Sequence, residues 1–176
     1  MLNIPTVTVA KTTLTGTSDS VTLTYVAPSV AWTPQHLLVR TDTKSVGAEQ
    51  DVFIQFNGDT GSNYNYQRVI GYGTTKAAER ISDSGSQKFA TSPVSTAAEE
   101  FSSGEMLIPD ALSTRSHKST ISLTGNIEDR VSAYGGRWAD TAAITSVTLT
   151  QNSLAFAIGS TFELCVVDES FNVSET

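Results

Sequence analysis

Residues 51–75 read DVFIQFNGDTGSNYNYQRVIGYGTT. Apolar side chains alternate at Val52, Ile54 and Phe56, a polar stretch fills 57–65, and a second alternating run starts at Tyr66. That is the pattern of two antiparallel strands joined by a longer, glycine-punctuated connection. Side chains alternate across a strand, so Val52, Ile54 and Phe56 are expected to share one buried face. In the second run Tyr66, Arg68, Ile70 and Tyr72 share a face, with Gln67 and Val69 on the other. The rest of the chain is expected to cover the face of Val52, Ile54 and Phe56. The residue chemistry of this stretch does not by itself specify an activity.

Working outward, residues 1–15 (MLNIPTVTVAKTTLT) combine Pro5 with a Thr/Val alternation that favours extended backbone. Two readings stand side by side: a first strand of the domain, or an arm that pairs with a neighbouring subunit. Further strands are expected around Val21, Leu23 and Tyr25, over 36–43 (HLLVRTDT), 86–90, 105–109 (EMLIP), 118–124 (KSTISLT), 131–138, 141–151 and 161–167 (TFELCVV). Ile121 and Leu123 are expected to point inward, as are Val147 and Leu149. Phe162, Leu164 and Val166 are expected to share one face. The AAER run within 74–84 reads as a helical turn, and 91–101 as a loop or one turn. Gly135-Gly136 suggests a bulge or bend. The sum is about nine to eleven short strands and no substantial helix, which predicts an all-β, jelly-roll-like antiparallel β-sandwich with an extended N-terminal arm. Residues 16–167 are expected to form the single sandwich domain, and 168–176 a polar, exposed tail.

Bulk composition narrows the function. The 176 residues suit one β-sandwich domain. Charged residues make up only 16%, against about 25% in typical domains, and Ser, Thr, Asn and Gly take the solvent-facing role. The net charge is -7, and the 11 basic residues are scattered rather than clustered, so nucleic acid is not an expected partner. No apolar run approaches the roughly 18 residues of a membrane helix, and the N-terminus lacks a signal-peptide pattern. Cys165 is the single cysteine, which precludes an intrachain disulfide, and its FELCVV context reads as a small buried hydrophobe.

Candidate chemistry is sparse. His36 and His117 lack a zinc-type partner spacing, and no GxSxG elbow is present. In the 57–65 loop, Asn57, Asp59 and Asn63 are oxygen donors of the kind calcium takes. The spacing does not match an EF-hand, and the simpler reading is a glycine-rich loop whose Asn and Asp tolerate unusual backbone angles. Glu99-Glu100 and Glu128-Asp129 are adjacent carboxylates that a strand would point to opposite faces, unlike a catalytic pair. Tyr64, Tyr66, Tyr72, Tyr134 and Trp138 serve either as packing or as an exposed platform for a sugar ring or a protein contact. No catalytic, cofactor or metal residue is assigned.

Four segments in order carry a resemblance: FIQFNGDTGSNYNYQ (53–67), IPDALSTRSHKST (108–120), GGRWADTAAITSVTL (135–149) and FAIGSTFELC (156–165). As a set, spanning roughly 51–167, they resemble a group of small β-rich virion proteins of tailed bacteriophages. Those proteins carry F-N-G-D-x-G-x-N-Y, I-P-x-Y with a later K-S, W-x-x-T-A-A-I-T and G-S-x-F-x-L-Y. This chain departs from them at Ala111-Leu112, where an aromatic is frequent, and at Cys165, where Tyr is usual. The resemblance implies a jelly-roll sandwich without catalytic residues. It implies a structural role on the virion, foremost a capsid decoration (cement) protein on the outer capsid surface, homotrimeric, bound to the major capsid protein and assembled in the host cytoplasm. Its alternative is a tail or fibre module that binds a host surface receptor or glycan, for which Tyr64, Tyr66 or Trp138 would be exposed. An enzyme, most plausibly a glycan hydrolase, ranks below both.

Overall fold

A computed structural model describes residues 5–31, 33–93, 100–126 and 130–167. Within them lie twelve strands: β1 Thr6–Thr13, β2 Ser20–Thr24, β3 Leu37–Thr43, β4 Gln50–Phe56, β5 Tyr64–Tyr72, β6 Thr75–Ser84, β7 Gln87–Ser92, β8 Ser102–Ile108, β9 Lys118–Asn126, β10 Arg130–Trp138, β11 Ser146–Gln151 and β12 Thr161–Val167. They form a wide sheet of eight strands, ordered β1-β12-β3-β8-β9-β10-β5-β6, and a narrow sheet of four, ordered β2-β11-β4-β7. All the pairings are antiparallel. The pairs β2·β11, β4·β7 and β5·β6 nest as in a jelly roll. The remaining pair of that plan, β3 with β10, is opened by a meander, so that β8 and β9 sit between them.

The apolar face of the opening stretch lies where its alternation predicts, but its two strands are not an antiparallel pair. β4 joins the narrow sheet between β11 and β7, and β5 joins the wide sheet between β10 and β6, so the 57–63 loop crosses from one layer to the other. Val52, Ile54 and Phe56 on β4 are fully buried, as are Val147 and Leu149 on the adjacent β11. They meet Leu37, Val39, Met106, Ile108, Phe162, Leu164 and Val166 of the wide sheet in one core. Each such side chain contributes on the order of 1.5–3 kcal/mol by leaving water.

Of the two readings of residues 1–15, the structure shows the first strand rather than the arm: Thr6–Thr13 pairs along its length with β12 of the same chain, as an edge strand of the wide sheet. Three further expectations need correction. The AAER run is not a helical turn but part of β6. There Glu79 opposes Arg68, Ile81 opposes Tyr66, and Gly73 (φ 52) makes the tight turn from β5. Pairing with a neighbour overrides the local helix preference of Ala and Glu. Gly135-Gly136 makes no bulge, since β10 stays in continuous register with both β5 and β9. Instead Gly136 lets Gln87 approach: a Cβ there would stand 2.4–2.5 Å from the Gln87 side chain. Gln87 is buried and bonded to Thr120, so it cannot swing aside. Gly136→Ala is therefore expected to lower unfolding stability by about 1–3 kcal/mol, measured by urea denaturation. Gly135→Ala, with open space around its added methyl, should leave the midpoint unchanged.

The third correction concerns β9. Ile121 and Leu123 do not point inward. Lys118, Thr120, Ser122 and Thr124 are buried, while Ile121 and Leu123 face solvent. The expected tail, 168–176, lies outside the described residues, as do Trp32, Glu99, Glu128 and Asp129.

Candidate functional site

Two places concentrate the chain's unusual features. The first is the 57–63 loop. Asn57 takes φ 54 and Gly58 φ 69, the left-handed region that Asn and Gly tolerate best. The loop's side chains then turn back onto the protein. The Asp59 carboxylate accepts hydrogen bonds from the indole Nε1 of Trp138 (2.6 Å), from Nδ2 of Asn63 (2.8 Å) and from the backbone N–H of Gly61 (2.8 Å). Asn57 Oδ1 accepts from the N–H groups of Thr145 and Ser146 and from the Thr145 hydroxyl, while its Nδ2 donates to the Ala143 carbonyl. The Tyr64 hydroxyl accepts from the Phe56 N–H at 2.8 Å. Phe56, Tyr64 and Trp138 pack as an aromatic trio with ring centroids 5.6–6.4 Å apart.

Electrostatics follow this geometry. Burial raises the Asp59 pKa, but the hydrogen bonds from Trp138, Asn63 and Gly61 outweigh it and hold the carboxyl below its ordinary value. Of the three side chains considered as calcium donors, the Asn57 and Asp59 oxygens serve as internal acceptors and Asn63 donates its Nδ2 to Asp59. Among the described residues no group of three or more His, Cys, Asp or Glu side chains is placed to hold a metal ion. His36 Nδ1 accepts the Asp110 N–H, and His117 is exposed. Cys165 is fully buried beside Leu38 and Val167, and burial pushes its thiol pKa up.

The aromatics singled out from the sequence do not form an exposed platform. Tyr64, Tyr66, Tyr134 and Trp138 are all buried, and burial pushes the Tyr66 phenol up to about 12. Of the aromatics singled out from the sequence, Tyr72 alone is exposed, and it lies against the Arg130 guanidinium.

The second place is the outer face of the wide sheet. An antiparallel sheet covered on one side normally presents polar side chains on the other. Here β9 is inverted. Its polar residues Lys118, Thr120, Ser122 and Thr124 face inward, and the first three have defined partners. The Lys118 ammonium donates to the carbonyls of Ser113, Ser116 and Thr141. Thr120 exchanges hydrogen bonds with Gln87, and the Ser122 hydroxyl donates to the Phe89 carbonyl. The apolar side of β9 is left outside.

Register places further apolar side chains beside it. Leu123 lies opposite Ala133, which lies opposite Val69. Val131 sits one row along on β10. Val69, Ile121, Leu123 and Val131 are 61%, 64%, 62% and 58% exposed, so three neighbouring strands share one aliphatic patch. Contiguous exposed apolar surface of this kind marks a contact site more often than chance scatter does. Next to it, Gly135 opens a groove of about 270 Å³ between Gln67, Asn65, Arg80 and Arg137.

Compared with known protein families, curated proteins and solved structures, the chain matches none.

Proposed function

We propose that this chain is a non-enzymatic structural protein of a tailed-bacteriophage particle. In this reading it is a capsid decoration protein that binds the outer shell and stabilises it, with the major capsid protein as partner and a homotrimer as the working unit. The observation that carries the reading is the inverted strand β9, which presents Ile121 and Leu123, with Val69 and Val131, to an outside partner. Support comes also from the segment resemblance and from the low charge fraction with abundant hydroxyl side chains. Many weak contacts of this kind, repeated by the symmetry of a shell, add up to firm attachment.

The burial of Tyr64, Tyr66 and Trp138 weighs against the alternative, a tail or fibre module that stacks host glycans. Copy number per virion separates the two. Hundreds of copies are expected for decoration, and a count of a few dozen or fewer would move the chain to the tail. Purified protein added to undecorated shells should sediment with them and raise their thermal disruption temperature.

A further inference from the structure

Arg80 and Arg137 border the groove over Gly135, and among the described residues neither has an ion-pair partner. Arg40 pairs with Glu105, Arg68 with Asp51 and Glu79, and Arg130 with Glu49. Asp83, the acidic residue nearest to Arg80 along β6 on its far side, is not among the groove's lining residues. Lys76 adds a third exposed base on the same outer face, one row beyond Val69.

The groove's other side chains are also rich in donors. Asn65 Oδ1 is engaged by the Asp83 N–H, which leaves its Nδ2 as the free end, and Gln67 is exposed. The floor is Gly135. That glycine is unforced by the fold: its backbone is not in the left-handed region, and a Cβ would meet nothing within 4 Å. A glycine inside a strand with no such internal reason fits close approach by an outside group. Two guanidinium groups with amide N–H donors beside them, over an accessible floor, favour an oxyanion, and guanidinium groups suit a planar carboxylate. The surrounding surface is aliphatic rather than aromatic, which matches a protein partner better than a sugar.

We infer that the groove between Arg80 and Arg137 binds a carboxylate side chain of an acidic protein segment whose apolar neighbours pack on Ile121, Leu123 and Val69. The inference rests on the proposed docking role for the identity of that partner, but the groove's chemistry is testable alone. The probe is the capped pentapeptide LEVDL, titrated into the ¹⁵N-labelled full chain, with its amide analogue LQVNL and with glucuronate as comparison arms.

LEVDL should shift the Gly135 and Gln67 amides and the Arg80 and Arg137 side-chain N–H signals, at least tenfold more tightly than LQVNL. The double variant Arg80→Ala/Arg137→Ala and, separately, Gly135→Val should each weaken it at least tenfold with unchanged thermal midpoints. Equal binding of the two peptides, indifference to both variants, or tighter binding of glucuronate would overturn the inference. Sedimentation with shells separates it from the reading beneath it. If the wild-type chain does not sediment while the peptide result holds, decoration falls and the groove stands. If wild type and the double variant sediment equally well, the carboxylate contact is not the capsid anchor and the inference falls.

Discussion

Asp59→Ala is expected to destabilise the fold by about 3–5 kcal/mol, because it removes one charged acceptor from three donors at once. The Trp138 indole N–H is the costliest of them to strand, since its ring is buried within the aromatic trio. Asn63 and Gly61 also lose their partner, and with them goes the shape of the loop. Asp59→Asn keeps the size but turns one acceptor into a donor facing donors, so a loss of about half that is expected. Urea denaturation gives both numbers.

The pH dependence has a definite sign. The folded carboxyl titrates below its ordinary value of 3.8, so its contribution is fully present above that pH. It is lost as the pH falls from there through the lower, folded pKa. Wild type and Asp59→Asn should therefore converge in stability on acidification below about pH 4. An Asp59→Ala variant within about 1 kcal/mol of wild type at pH 7 would show that this cluster does not hold the loop.

Under the proposed decoration role, replacing Ile121 and Leu123 together by threonine is expected to leave the fold unharmed and to weaken docking strongly. Both side chains are more than half exposed, and threonine suits a strand, so the change in stability should stay within about 0.5 kcal/mol. In a docked interface, central aliphatic side chains of this size carry roughly 1–2 kcal/mol each, so affinity for shells should fall on the order of 30- to 1,000-fold. Sedimentation isotherms over a range of protein concentrations measure it. Unchanged affinity would mean that the partner binds elsewhere, and a large loss of stability would mean that β9 is not the solvent-facing strand described above.

The β4 alternation was legible because every inward position of β4 is apolar, so Val52, Ile54 and Phe56 permit one orientation. On β9 the same rule misled. KSTISLT alternates just as cleanly, but periodicity identifies two faces without saying which is buried. The orientation is set by partners distant in sequence: Gln87 for Thr120, the Phe89 carbonyl for Ser122, and three loop carbonyls for Lys118. A buried lysine and the buried hydroxyls of Thr120 and Ser122 outweigh two exposed aliphatics only because each of those partners is in place.

The segments that carry the resemblance also gain a physical connection. N-G-D-T-G-S-N-Y supplies Asn57, Asp59 and Asn63, R-W supplies Trp138, and T-A-A-I-T supplies Thr141, Ala143 and Thr145. In the fold these contact one another through the Asp59 and Asn57 hydrogen bonds, and Lys118 of the K-S pair reaches Thr141. Separate runs of letters turn out to be parts of one packed end of the sandwich. Their spacing in sequence carries no hint of it, because hydrogen bonds between residues some 80 positions apart exist only after the chain is folded.

The opening stretch shows the division. By itself the sequence determined that residues 51–75 make a strand, a polar loop and a second strand, that the chain is all-β, and that Val52, Ile54 and Phe56 enter the core. Those features follow from local alternation and turn chemistry, which neighbouring residues encode. Only the tertiary structure decided that β4 and β5 belong to different sheets, that the apolar side of β9 faces outward, that the 57–63 loop is a hydrogen-bonded closure, and that Gly135 lines a groove beside two arginines with no ion-pair partner among the described residues. Each of these depends on which distant groups become neighbours, and alternation along one strand carries no information about them.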